Sequence, residues 1–167
     1  MRAAGVILAI AGALVLQTTL ARFVRSTVAV DFVLIVVVYV ALTLGPVTGL
    51  LAGTVAGLMQ DALSSPVIGI GGLAKTIVGF VAGVIGQQFI VTAAFPRFVM
   101  FVGATIVHAG VFMGLYVLLG LRDFPSPGAA VVSQAGGNAV VGMIAFTIVE
   151  ALPGAMERRK FSKRARR

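Results

Sequence analysis

Along 167 residues, apolar runs of about the length needed to cross a hydrocarbon core recur six times, with breaks between them too short to build anything else. A core of about 30 Å takes about 20 helical residues. The runs are Ala3 to Leu20, Val28 to Leu44, Val47 to Leu63, about Ile70 to Val91, Phe98 to Leu121 and about Ala129 to Leu152. Composition agrees: 59% of residues are hydrophobic and 11% charged, against about 25% charged in an average soluble domain, and the mean hydropathy is +1.10. The pattern predicts an all-α integral membrane protein, a six-transmembrane-helix bundle over residues 1–157 with a basic cytoplasmic tail over 158–167. Arg2 ahead of the first run gives it a weak signal-peptide look. That run nevertheless has the length of a span and no clear small-x-small cleavage site before Arg22, so it reads as a retained helix. With no cysteine in the chain, disulfides, thiol nucleophiles and thiolate metal sites are excluded.

The net charge of +8 is concentrated at one end. Seven of the thirteen basic residues are Arg158, Arg159, Lys160, Lys163, Arg164, Arg166 and Arg167. Cytoplasmic flanks of membrane helices are enriched in lysine and arginine, which puts this tail inside. An even number of spans then puts Met1 and Arg2 inside too, with Arg97, and leaves Arg22, Arg25 and Arg122 in outer loops. A basic run directly after a membrane helix suits anionic lipid headgroups, at about 1 kcal/mol per residue near the surface. That is a simpler reading than nucleic-acid binding, and no nucleic-acid partner is expected.

The breaks contain helix-stopping proline and glycine: ARFVRST, Gly45-Pro46, SSPVIGIGG, TAAFPR and RDFPSPG. Loops this short make sequential helices antiparallel neighbours. Within the third run, Gly45, Gly49, Gly53 and Gly57 fall four residues apart and Asp61 lands on the next beat. In water each interior glycine would cost a helix about 1 kcal/mol relative to alanine. In lipid, helices associate through close van der Waals packing and hydrogen bonds, which small residues at i and i+4 favour. The third helix is therefore expected to be the most tightly packed. A second small-residue row, Gly5, Ala9 and Ala13, makes the first helix a candidate groove for a partner's membrane helix.

Ionisable groups inside a membrane are expensive and tend to be paired or functional. Asp61 at the outer end of the third span and Lys75 near the start of the fourth are within reach across a short connection. They form either an ion pair closing that hairpin or the edge of a site beneath the outer loops. His108, near the middle of the fifth span, has no second histidine or cysteine with which to bind a metal, and it is expected to bond a neighbouring helix. Gln134 and Asn138 share a face of the sixth span and are expected to make interhelical hydrogen bonds. Glu150 lies where Arg97 or a tail arginine can neutralise it. The five acids, Asp31, Asp61, Asp123, Glu150 and Glu157, form no catalytic constellation, and no phosphate loop, G-x-S-x-G or H-E-x-x-H is present. Neither an enzyme nor a cofactor or metal site is expected.

The order VDFVLIVVVYVAL, LGPVTGLLAGTVAGLMQDALSS, GIGGLAKTIVGFVAG resembles the rod shape-determining protein MreD family, small six-helix inner-membrane proteins of the bacterial elongation machinery. The likeness is densest from about Asp31 to Gly83. It carries over to Asp31, Gly45, Pro46, Gly49, Gly53, Gly57, Asp61, Gly69, Lys75 and Gly79. Val30 stands where the family often has proline, and Gly71-Gly72 replaces a common Asn-Ala. The resemblance implies a non-enzymatic partner of MreC, itself a single membrane helix with a periplasmic coiled coil. Through MreC it implies a link to RodA and a class B penicillin-binding protein in lateral peptidoglycan synthesis. It also implies a fold similar to the substrate-binding subunits of energy-coupling factor transporters. From that fold comes the alternative function: capture of a small molecule under the outer ends of the helices.

Overall fold

The computed structural model describes residues 3–23, 30–88 and 93–164, with side chains described for 3–20, 30–88 and 93–151. Six helices account for nearly all of it: α1 (Ala3–Phe23), α2 (Phe32–Leu44), α3 (Pro46–Ser64), α4 (Ile70–Gln88), α5 (Ala94–Leu118) and α6 (Gly128–Arg164). Met1, Arg2, Arg25, Val28, Val91 and the side chains of Arg22 and the basic tail lie outside the described residues. α6 continues helical to Arg164, into the stretch read from sequence as a tail.

Four of the six are long and apolar enough to cross a membrane: α1 over Ala3–Leu20, α4, α5 and Pro127–Ala151 of α6. α2 is too short. Its 13 residues extend about 20 Å at 1.5 Å per residue. α3 has 19 residues, but its glycines, Gln60 and Asp61 dilute its apolar character. α2 is also the helix most enclosed by the others. α2 contacts every other helix of the bundle, and Val33, Leu34, Ile35, Val37, Val38, Val40 and Ala41 are all buried.

α2 separates two packed clusters. On one side Val33, Val37 and Val40 meet Ile10, Ala13 and Leu14 of α1 and Ala52 and Ala56 of α3. On the other side Leu34, Ile35 and Val38 meet Val78 of α4, Phe101 of α5, and Ala139 and Phe146 of α6. A helix with apolar β-branched residues on every face fits such a central position, because no face has to meet water.

The expected tight packing of α3 is realised against α4, the most extensive helix pair in the molecule. A Cβ on Gly57 would come within 2.6 Å of the Gly72 Cα; one on Gly53 would run into the Lys75 carbonyl, and one on Gly79 into the Gly49 carbonyl. The two backbones touch with no side chain between them, which is what small residues permit inside a bilayer. α2 passes into α3 through Gly45, whose φ of 90° is a conformation that side-chain-bearing residues rarely adopt. Pro46 then occupies the first helical position, where its missing N–H loses no bond.

A candidate functional site inside the bundle

α2 begins inside the bundle. Asp31 caps it, its Oδ1 accepting from the Leu34 N–H at 2.9 Å, and the cap is held by two other helices. The Asp31 N–H donates to Oδ1 of Asn138 on α6 at 2.8 Å. Gln17 on α1 accepts from the Phe32 N–H at 2.8 Å and donates to the Val30 carbonyl at 3.1 Å. The backbone groups that a helix start leaves without partners are thus met by side chains from α1 and α6.

The other carboxylate oxygen of Asp31 forms an ion pair with Lys75 of α4 at 2.8 Å. The Lys75 ammonium also donates to Nε2 of His108 on α5, at 3.1 Å. Asn138 donates onward to the Thr105 hydroxyl at 3.0 Å, and that hydroxyl donates to the Phe101 carbonyl at 2.8 Å. Asp31, Lys75, Thr105, His108 and Asn138 are all buried. Asn138 lies about ten residues into α6 and His108 about ten residues from the end of α5, so the network sits about 15 Å below those helix ends. Four helices meet there on one opposed pair of charges.

Lysine offers donors and no acceptor. His108 Nε2 must therefore be the acceptor, and the ring proton sits on Nδ1. That nitrogen is buried and, among the described residues, has no hydrogen-bond partner. The ring itself stacks on Phe112, with centroids 5.8 Å apart.

Asp61 does something else. Its Oδ2 accepts from the N–H groups of Gly69 at 2.9 Å and Gly72 at 3.0 Å, buckling the end of α3 to the start of α4, where free N–H groups and the helix dipole favour a carboxylate. The expected Asp61–Lys75 ion pair is therefore incorrect: Lys75 belongs to Asp31. The cause is helical phase. The Lys75 carbonyl faces Gly53 of α3, and its side chain leaves the opposite way, toward α2 and α5. Gly71 fits beside this carboxylate because any Cβ there would strike it.

The remaining residues divide clearly. His108 and Asn138 bond neighbouring helices as expected. Gln134 is half-buried and takes no part in the network. Arg97 grips Glu150 with both terminal nitrogens, at 2.8 and 2.6 Å, and lies 4.3 Å over the Phe146 ring. In the α1 row, Gly5 and Ala9 are half-buried and Ala13 is buried; Ala13 packs into the cluster with α2 and α3, so the row turns into the bundle. Gln17 and Thr105 are members of the network that the sequence reading passed over. Gln17 had a signal, as a polar amide within an otherwise apolar run, and Thr105 lies three residues before His108 on the same face.

Substrate capture would require polar side chains lining a cavity. Among the described residues, the polar side chains of the interior network are bonded to one another, and the grooves flanking α4 and α1 are lined by other residues, almost all apolar.

A family model described as rod shape-determining protein MreD matches residues 2–152. No curated protein and no solved structure gives a significant match, which leaves the likeness to energy-coupling factor subunits unsupported. The match spans α1 to the end of the apolar part of α6 and includes every residue of the interior network: the chain belongs to the MreD family of rod shape-determining membrane proteins.

Proposed function

We propose that this protein is a non-enzymatic scaffold of the bacterial cell-elongation machinery, sited in the inner membrane with six spans and both termini cytoplasmic. Its partner is MreC, met through MreC's membrane helix and periplasmic part, and through MreC it joins RodA and a class B penicillin-binding protein. The basic tail rests against anionic lipid headgroups. One observation carries the partner mode. A cleft of about 600 Å³ lies between α1 and α3, lined by Ala11, Leu14, Val15, Thr18, Met59, Leu63 and Ser64. Val15, Met59 and Leu63 are exposed there. A protein with little chain outside its helices has to meet a partner largely within the bilayer, and an apolar cleft with small residues beside it accepts a helix closely. The inward-turned Gly5, Ala9 and Ala13 row leaves this neighbouring face of α1 to do so.

The test fuses the MreC-type membrane segment, without its coiled coil, to a reporter and asks whether it co-purifies. It should, and Ala11→Trp in the cleft should lower recovery at least several-fold. Gly136→Trp, at an exposed position on α6, should leave recovery intact. Full binding by MreC deprived of that helix, with none by the helix alone, would place recognition outside the membrane. Co-isolation of ATP-binding cassette subunits from native membrane would favour substrate capture instead.

A further inference from the structure

Between α4 and α5 runs a groove of about 220 Å³ in which every lining residue is apolar. Its walls follow the helix axes, on α4 from Val78 to Ile85 and on α5 from Val107 back to Val99, about 10 to 12 Å at about 1.5 Å per residue. Small residues make the recess. Ala82 lines it from α4, and Gly103 lines it from α5 with nothing within 4 Å of where its Cβ would sit. Val99 and Val107 are exposed along the rim, so the groove opens to the surroundings of the bundle. Water needs polar partners that this lining does not offer; an apolar cavity of about 150 Å³ stays dry and takes up a molecule such as benzene. Left empty, the lining would forgo its dispersion contacts on one side. Spread over its length, the groove has a section of about 20 Å². A helix about 10 Å across needs about 80 Å², whereas a single hydrocarbon chain is slender enough to lie there.

The two ends of the groove differ. Val78 and Val107 stand within a helical turn of Lys75 and His108, at the level of the interior network. Ile85 and Val99 lie toward the helix ends, near Arg97, which ties the start of α5 to Glu150 of α6. Past Glu150, α6 continues as a helix to Arg164, through Arg158, Arg159, Lys160 and Lys163. The groove therefore runs from the middle of the bundle toward the end where basic residues cluster. We propose that the α4–α5 groove seats one acyl chain of an anionic phospholipid whose headgroup lies at the basic end of α6. The hydrocarbon supplies the close contacts that the lining otherwise lacks, and the phosphate meets positive charge beside a membrane helix. This seat shares no residue with the α1–α3 cleft. It gives the proposed contact between tail and headgroups a fixed chain position, and rests on that contact only for the charge of the headgroup.

The test is native mass spectrometry of the full chain, released from micelles after incubation with equal amounts of phosphatidylglycerol and phosphatidylethanolamine. One phospholipid should stay bound, the anionic one in at least several-fold excess. Gly103→Leu directs a side chain into the groove from a position where nothing opposes its Cβ, and should lower the bound lipid at least several-fold. Gly110→Leu, equally open but outside the groove lining, should retain it. Should Gly103→Leu fail to accumulate, folded Gly103→Cys labelled with a bulky maleimide fills the groove after assembly and should lose the lipid likewise. No lipid on the wild-type protein, or as much on the filled variants, would overturn the seat. So would a crosslinked dimer formed by Gly103→Cys in native membrane, which would give the groove to a second copy. Glutamine at all five basic positions from Arg158 to Arg164 should erase the preference for the anionic lipid without emptying the groove. An unchanged preference would overturn the placement of the headgroup at the tail, a failure separate from that of the groove.

Discussion

Asp31 and Lys75 are each held by more than the other, and this decides what removing either does. Taking one charge from a buried pair leaves its partner uncompensated, at about 3–5 kcal/mol. Asp31→Asn and Lys75→Met should each destabilise the protein by that order, read as a lowered thermal midpoint in detergent micelles, and the double variant should recover part of the loss. Asp61 provides the contrast. Its partners are backbone N–H groups, so Asp61→Asn and Lys75→Met should be additive; a coupling as large as that between positions 31 and 75 would refute the assignment. All three residues stand out in the sequence, because charge in an apolar chain is conspicuous. Who pairs with whom does not. That depends on the rotation of α4 about its axis, which is fixed by where Gly53 and Gly57 seat against α4.

The α3–α4 pair shows what glycine spacing does and does not reveal. Gly53, Gly57, Gly79 and Gly83 look in the sequence much like Gly103, Gly110 and Gly114 of α5. In the fold the first group abuts backbone, and the second has nothing within 4 Å of where a methyl would sit. Gly53→Ala should therefore cost about 1–3 kcal/mol as an overpacked contact that backbone cannot relieve. Gly110→Ala should be neutral or slightly favourable, since alanine is the better helix former by about 1 kcal/mol. Folded yield and thermal midpoint in the same detergent separate them, and equal losses at both positions would show that the row does not pack as described. Helix existence was legible from run length; helix ends were less so. α2 starts at Phe32 and not Val28 because Asp31 caps it there, and α5 starts at Ala94 because Pro96 fits within a first helical turn.

At the scale of the whole molecule, the helices form a body of α1 to α4 around α2, with the α5–α6 hairpin laid against α2 and α4. The six-helix count was readable from the sequence, whereas the central place of the shortest helix was not, since no local pattern says which apolar run the others will surround. The proposed topology has a direct check. A cysteine at Ser126, between α5 and α6, should react with an impermeant thiol reagent in intact cells, and one at Ser162 should be protected until the cells are opened. The reverse pattern would invert the orientation.

The short α2 also has a history within each molecule. Asp31 leaves the ribosome well before Lys75 and long before Asn138, the two residues that satisfy it. For that interval a helix of about 20 Å carries a carboxylate without its counter-charge, in a solvent that penalises it. Its place in the membrane is then settled retroactively, by sequence synthesised later. Chains truncated after Ser64 should hold α2 poorly in the membrane and be degraded quickly. Chains truncated after Gln88, which include Lys75, should be retained much better, and Lys75→Met in that longer truncation should abolish the gain. Equal survival of all three would mean that α2 is secured without its partner, and that the ion pair is a late refinement of a helix already in place.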